Sequence, residues 1–344
     1  MSFTVSLLPG AHTFEASPDE SLLQAALAAE LLVPYGCRDG ACGACKAQLV
    51  EGKVDHGHSP ERTLPAEDRT KGLVLMCCAQ ARSELVLQCR EVRSAHDIPI
   101  RKLPCRVQSL EKVAPDVMVL TVKLPPGEVF QFRAGQYIDF LLADGGRRSF
   151  SIANAPIGGD TLELHVREVP GGHFTGRVFS TLKPRDILRL EGPLGSFFLR
   201  EAAVEGGNKP IILLAGGTGF APMKAIIEHL LNQPVRRSVA LYWGARTREG
   251  LYLHALAERW AHELPDFRYV PVLSDESPAG WSGHKGLVHR AVMTDWPDLS
   301  AHQVYACGAP AMIEAARADF TQGCGLPDTA FFADAFTFAS DIKP

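Results

Sequence analysis

Four cysteines carry the clearest chemistry in this chain. Cys37, Cys42 and Cys45 stand in Pro34-Tyr-Gly-Cys-Arg-Asp-Gly-Ala-Cys-Gly-Ala-Cys-Lys46, and Cys77 follows about thirty residues later. The C-x4-C-x2-C spacing with a distant fourth cysteine is the plant-type arrangement for a 2Fe–2S cluster. Thiolates are soft ligands that suit iron and sulfide. Wrapping three of them round a small cluster needs sharp bends, which Gly36, Gly40 and Gly43 permit. Ala41 and Ala44 are small enough to let backbone N–H groups approach the sulfurs. Such a centre moves single electrons.

A zinc site is the competing reading, but zinc sites usually pair two short C-x2-C units, and only one is present. The fourth ligand is a choice between adjacent cysteines in Leu73-Val-Leu-Met-Cys-Cys-Ala-Gln80. If this is a strand end, neighbouring side chains point to opposite faces and only one faces the cluster. Cys77 is the expected ligand. The nine cysteines are odd in number, and a disulfide framework is not expected. Cys78, Cys89, Cys105 and Cys324 read as small buried residues.

Two further stretches could bind phosphate-bearing cofactors. Gly216-Gly-Thr-Gly-Phe-Ala-Pro222 follows an apolar strand and opens a helix. Glycines there let backbone approach a phosphate, and a helix N-terminus offers unpaired N–H groups. The stretch is not G-x-G-x-x-G, so a plain Gly-rich strand-to-helix turn is the bland alternative. The second stretch, Arg147-Arg-Ser-Phe-Ser-Ile-Ala-Asn154, sets a fixed cation, an aromatic ring and hydroxyls along one strand. Arg148 carries the planar fork suited to a pyrophosphate.

The elements that must position these groups fall into three blocks. Residues 1–95 read as an α+β unit: a hairpin from Phe3–Leu8 and His12–Glu15, then a helix capped by Ser17 with Pro18 and Glu20 behind it. Strands are expected at Cys45–Val50 and Gly72–Met76. Residues 96–104 read as a linker. From 105 to 203, short strands separated by Gly and Pro predict an antiparallel barrel: Val117–Val122, Gln136–Leu142, Arg148–Ile152, Leu162–Val166 and Ile187–Leu190. From 204 to 344, strands Pro210–Ala215, Val239–Trp243, Phe267–Leu273 and Gln303–Ala306 alternate with helical stretches, which predicts a parallel sheet wound by helices.

The chain has 344 residues and a net charge of −4, which suits two or three globular domains and argues against a nucleic-acid binder. No apolar run approaches a membrane span. The N-terminal Met-Ser-Phe-Thr-Val lacks the features of a signal peptide. A cytoplasmic monomer, bound to no membrane, is expected.

The stretch Arg148-Ser-Phe-Ser151 resembles the R-x-[YF]-[ST] flavin signature of the ferredoxin–NADP reductase superfamily. Gly171-Gly-His-Phe-Thr175 is similar to that superfamily's flavin-phosphate element. Gly216–Pro222 is similar to its pyridine-nucleotide loop, and Cys307-Gly-Ala-Pro310 to its nicotinamide-side motif. With the N-terminal cysteines, the whole chain resembles the three-domain reductases of multicomponent oxygenases and the CDP-6-deoxy-Δ3,4-glucoseen reductases. The resemblance implies a β-grasp ferredoxin domain, a β-barrel FAD domain and an α/β NAD(P)H domain.

It also implies roles. Arg148 would meet the FAD pyrophosphate, Phe150 the flavin ring and Ser151 the N5 edge. Relatives often have tyrosine at the Phe150 position. Ser149, His165 and Arg167 are counted with the cofactor-binding residues. Gly171, Gly172 and Thr175 would hold FAD phosphate oxygens. Gly216, Gly217, Thr218, Gly219 and Pro222 would hold the nicotinamide dinucleotide, with Cys307 and Gly308 beside its ring. Arg246 or Arg248 would meet a 2′-phosphate, and Glu249 would repel one; NADH is favoured over NADPH. Asp334, in Phe331-Phe-Ala-Asp-Ala-Phe336, would be a catalytic proton or charge partner, and Phe336 a shield for the flavin face. The implied route runs from NAD(P)H to FAD, to the 2Fe–2S cluster, to an electron-accepting oxygenase, hydroxylase or dehydrase component. An iron–sulfur sensor without enzymatic activity is the reading from a different class.

Overall fold

The computed structural model describes residues 2–8, 10, 12–89, 92–94, 98–200, 208–233, 237–275 and 280–336. The chain divides into two compact units. The first comprises Met1–Pro99, Gly195–Phe197 and Ala333–Pro344; the second comprises Ile100–Leu194 and Phe198–Phe332.

In the first unit, β1 (Phe3–Leu8) and β2 (His12–Ala16) form the expected hairpin, with Val5 opposite Phe14. Helix α1 (Leu22–Ala28) buries Leu22, Leu23, Ala25 and Ala26. Its cap is Ser21, not Ser17: Ser21 accepts from Gln24 N while Gln24 reaches back to the Ser21 N–H, a capping box worth about 1 kcal/mol. Ser17 and Glu20 make only half of that pattern in the turn just ahead of the helix: Ser17 N donates to the Glu20 carboxylate, but Glu20 N donates to the Ser17 carbonyl, and the Ser17 hydroxyl accepts from Asp19 N. Strands β3 (Lys46–Glu51), β4 (Leu73–Leu75) and β5 (Leu85–Gln88) complete a sheet of order β2-β1-β5-β3-β4. Strand β5 runs parallel to β1. Val5, Leu7, Leu22, Leu64, Leu75 and Leu87 are fully buried between helix and sheet.

The second unit holds two six-stranded sheets. The first contains β6 (Arg101–Ala114), β7 (Val117–Lys123), β8 (Tyr137–Leu141), β9 (Arg147–Ser151), β10 (Thr161–Arg167) and β11 (Ile187–Leu194). Its order is β9-β8-β11-β6-β7-β10, and all its pairings are antiparallel. Strand β6 begins inside the expected linker. Leu103, Cys105 and Val107 alternate inward, and Pro104 is tolerated because β7 pairs with β6 only from Arg106 onward. Residues 96 and 97 and the expected boundary at 203/204 lie outside the described residues. Helix α2 (His173–Ser180) packs Phe174 against Phe140 and Phe150.

In the second sheet the strands from Ile211–Gly216, Val239–Ala245, Phe267–Leu273, His284–Lys285 and Gln303–Gly308 pair in parallel. It contains β12 (Ile211–Gly216), β13 (Val239–Ala245), β14 (Phe267–Leu273), β15 (His284–Lys285), β16 (Gln303–Gly308) and β17 (Phe331–Ala335, of which Ala333–Ala335 count with the first unit), in the order β15-β14-β13-β12-β16-β17. Helices α3 (Phe220–Leu231), α4 (His254–Glu263), α5 (Val288–Asp295) and α6 (Pro310–Gly323) lie between its strands in sequence. The chain leaves β12 toward β13 on one side and returns to β16 on the other. That reversal is a topological switch point, where open α/β sheets bind ligands beyond the carboxyl ends of their strands.

Candidate functional site

The cysteine loop arranges its thiols in two pairs. Cys45 Sγ lies 3.2 Å from Cys77 Sγ. Cys37 and Cys42 form the second pair: Cys42 N donates to Cys37 Sγ at 3.3 Å, and Cys37 N donates to Cys42 Sγ at 3.5 Å. Among the described residues no three His, Cys, Asp or Glu side chains converge on one metal position. Two irons with two thiolates each need no such triplet, so this donor set fits a 2Fe–2S cluster. The sulfurs also act on one another. A hydrogen bond to Cys42 drives the Cys37 thiol up, and the same bond helps bring Cys42 down to about 7. Cys77 is pushed up first by Cys45 and then by Cys78.

The loop reaches this shape by bends at Gly40 (φ 83°) and Gly43 (φ 69°). Gly36 works differently: it allows a close approach to Asp334 and Cys42. Ala44 N donates to Cys42 Sγ at 3.4 Å, whereas Ala41 N donates to the Asp39 carboxylate and not to a sulfur. Cys77 and Cys78 lie in a turn, not at a strand end, with Cys78 N and Ala79 N both donating to Leu75 O. The two sulfurs stay 3.6 Å apart, but their other partners differ: Cys77 Sγ lies against Cys45 at 3.2 Å, and Cys78 Sγ against His58 Nε2 at 3.4 Å.

Two segments distant in sequence complete this unit's loop environment. Tyr35 N donates to Ser196 Oγ at 2.6 Å, and Ser196 N donates to Tyr35 O at 2.9 Å. Asp334 is buried, and burial, then Cys42 and Asp39, push its carboxyl up to about 8. The structure brings Asp334 to the cysteine loop.

In the second unit, β9 sets Arg148 and Phe150 on one face of the sheet and Ser149 and Ser151 on the other. Phe150 joins Phe140 and Phe174 at centroid distances of 5.8 and 5.5 Å. Each such pair adds about 0.5–1.5 kcal/mol beyond its buried area. The Arg148 guanidinium donates to Arg147 O, and Ser149 donates to Asp139. Ser151 Oγ is buried, with no hydrogen-bond partner among the described residues. An orphaned hydroxyl at this point fits a bound polar ring edge, as a flavin N5 would supply. Thr175 turns its hydroxyl to Val169 and Gly172 and closes its own loop at the start of α2.

Beyond the switch point, two loops interlock. A Cβ on Gly219 would stand 2.1 Å from Cys307 O, so only glycine permits this contact. A Cβ on Gly308 would lie 3.1 Å from Gly216 Cα. Cys307 is fully buried at the end of β16. The Arg167 guanidinium stands over Gly217, 3.0 Å from where its Cβ would be, and pairs with Asp116 at 3.3 Å. Pro222 is buried in the first turn of α3. Arg246 pairs with Asp275 at 3.1 Å on the surface, a partner that sequence reasoning missed. The sequence also gave no sign of the cluster round His165: its Nε2 bonds Glu163 at 3.0 Å and its Nδ1 bonds Tyr252 at 2.8 Å. Burial pushes the Glu163 carboxyl up, but His165 and Lys224 outweigh it and bring it down to about 2.

Comparison with known proteins agrees with this division of labour. The 2Fe-2S iron-sulfur cluster binding domain matches residues 6–82, the oxidoreductase FAD-binding domain residues 104–199, and the oxidoreductase NAD-binding domain residues 213–318. The chain is 45% identical to the CDP-6-deoxy-L-threo-D-glycero-4-hexulose-3-dehydrase reductase of Yersinia pseudotuberculosis, over 98% of this chain and 99% of that relative. It is 36% identical to reductase component 1 of the Comamonas terephthalate 1,2-dioxygenase, over 94% of each chain. The crystal structure of the Amycolatopsis cytochrome P450 reductase GcoB superposes with a TM-score of 0.78 at 35% identity, covering 98% of this chain and 99% of that one. The chain therefore belongs to the family of NAD-linked oxidoreductases that carry a 2Fe–2S domain, an FAD-binding domain and an NAD-binding domain on one polypeptide.

Proposed function

We propose that this chain is the reductase component of a multicomponent system, oxidising NADH and passing electrons singly to a separate acceptor protein. The pairing of the four thiols two by two carries this reading. FAD, when bound, accepts a hydride and releases single electrons to the cluster, which is why such a chain needs both. Cys37, Cys42, Cys45 and Cys77 would hold the cluster. Arg148 and the N–H groups at His173–Thr175 would bind the FAD phosphates, Phe150 would flank the ring, and Ser151 would hydrogen-bond its N5 edge. Gly216–Gly219 with Arg167 would hold the dinucleotide pyrophosphate, and Cys307 and Gly308 would border the nicotinamide. The single bridge Ile152–Leu164 supports closing the antiparallel sheet into a barrel.

A dehydrase-type acceptor is favoured over an oxygenase, because identity to the dehydrase reductase is 45% against 36% for the dioxygenase component. Nine free thiols support a reducing compartment such as the cytoplasm, where we place the protein as a monomer. No helix among the described residues is long and apolar enough to cross a membrane.

Adding NADH to the reconstituted chain should bleach flavin and cluster absorbance and drive cytochrome c reduction. Cys42→Ser should abolish the cluster spectrum and cytochrome c reduction while NADH still bleaches the flavin. Absence of any spectral change with either nicotinamide would leave only the sensor reading.

A further inference from the structure

Lys224 is a lysine inside a buried run. It lies on α3, between Met223 and Ala225, and its side chain is only 9% exposed. Its Nζ lies 2.7 Å from Glu228 Oε1, 3.1 Å from Glu163 Oε1 and 3.4 Å from Ala153 O. Glu228 in turn accepts from Ala155 N at 3.3 Å. Glu163 belongs to β10 and also holds His165, whose other nitrogen meets Tyr252. Ala153 and Ala155 lie on the segment that leaves β9 just after Ser151.

One ammonium thus joins three pieces of the second unit. These are the helix opened by the Gly216–Gly219 loop, the segment behind Ser151, and β10. A buried ion cluster is weak evidence for stability, because well-packed apolar residues often do as well. Its value here is geometric. Donor and acceptor atoms in a hydride transfer must stand about 3–3.5 Å apart, and a misplacement of about 1 Å costs on the order of 100-fold in rate. The loop that would hold the dinucleotide and the strand that would hold the flavin edge are the parts that Lys224 ties together.

We propose that Lys224 is a positioning residue for hydride transfer, holding the segment behind Ser151 in register with the helix that follows Gly216–Gly219. This rests on the proposed hydride route and adds to it a residue that touches neither cofactor. Glu228 is its second anchor, through Ala155.

The test uses the full chain loaded with FAD and cluster. Flavin bleaching is followed after rapid mixing with NADH and with 4-deuterated NADH, together with the long-wavelength absorbance that nicotinamide stacked on flavin produces. FAD content and melting temperature are measured in parallel. Lys224→Met should slow bleaching per bound FAD by about 100-fold and weaken the long-wavelength band, with little change in KM. Glu228→Ala, which frees only the Ala155 side, should slow it by about tenfold. Tyr242→Phe, which removes a bond to Asp295 elsewhere in the unit, supplies a control for simple loss of stability. Bleaching per bound FAD within about twofold of wild type in Lys224→Met and Glu228→Ala would overturn the proposal, as would a loss that merely follows FAD content. If Lys224→Met does not fold, Glu228→Ala and Lys224→Arg decide it by the same criteria. Wild-type protein that NADH cannot bleach would instead overturn the hydride route itself.

Discussion

Asp334 stands against Gly36: a Cβ on Gly36 would lie 2.9 Å from Asp334 Oδ1 and 3.2 Å from Cys42 Sγ. Neither neighbour is free to yield. Asp334 is buried at the end of β17, and Cys42 is one of the four loop thiols. Gly36→Ala should therefore displace the loop and lower iron and acid-labile sulfide content, while FAD content stays at one per chain. Full cluster occupancy in Gly36→Ala would show that this contact does not shape the loop.

The same contact assigns Asp334 to the electron-transfer end of the chain. Burial and hydrogen bonding around a cluster tune its potential. Asp334→Asn and Asp334→Ala should shift the midpoint potential and EPR g-values of the cluster. Flavin bleaching by NADH should stay within about twofold of wild type. A normal cluster spectrum with slowed flavin bleaching would restore the flavin-side acid role expected from the sequence.

Cys77 and Cys78 differ in what they face, not in how deeply they are buried. Cys77 Sγ meets Cys45 at 3.2 Å; Cys78 Sγ meets His58 at 3.4 Å. Cys78→Ser should keep the visible spectrum of the cluster, and Cys77→Ser should lose it. The opposite pattern would reverse the ligand assignment.

The parts of this protein that were legible in sequence are those whose signals are local. Ligand spacing lies on one loop, and the apolar strands Ile211–Gly216 and Phe267–Leu273 announce themselves by composition. Cap assignment failed by one turn because Ser17–Glu20 and Ser21–Gln24 have the same spacing within eight residues, and only Ser21 accepts with its hydroxyl from the residue three places on. Arg101–Pro104 read as linker because Pro104 interrupts the alternation that Leu103 and Cys105 continue. Lys224, and the surroundings of Asp334, were opaque for another reason. Their partners arrive from other strands and loops, and no spacing rule connects Lys224 to Glu163 or Asp334 to Gly36.

Acid should loosen the second unit in two stages. His165 is held below its ordinary 6.5, by burial first and against the pull of Glu163, so the unfolded chain binds its proton more readily. Stability then falls as pH drops below about 6.5. Glu163 is held at about 2 against 4.5 unfolded, so its contribution is present above 4.5 and lost as pH falls toward 2. That second stage amounts to ~3 kcal/mol at most. Melting followed by flavin fluorescence should show a steep decline from pH 6.5 to 4, and His165→Gln should flatten its upper part. An unchanged pH profile in His165→Gln and Glu163→Gln would remove these groups from the acid response.

Coenzyme choice is predicted to turn on Arg246 and Asp275. The guanidinium that the sequence offered to a 2′-phosphate is already paired, its Nε 3.1 Å from Asp275 Oδ2. Both lie just beyond the carboxyl ends of neighbouring strands, Arg246 after β13 and Asp275 after β14. A carboxylate there can accept from a ribose 2′-hydroxyl and repels a 2′-phosphate, whereas a free arginine does the reverse. Wild-type kcat/KM should favour NADH over NADPH by about tenfold or more. Asp275→Ser removes the repelling charge and releases Arg246, and should narrow or invert that ratio, chiefly through KM for NADPH. Arg246→Ala in the Asp275→Ser background should then abolish the gain. An unaltered ratio in Asp275→Ser would mean that the adenosine ribose sits elsewhere along the strand ends.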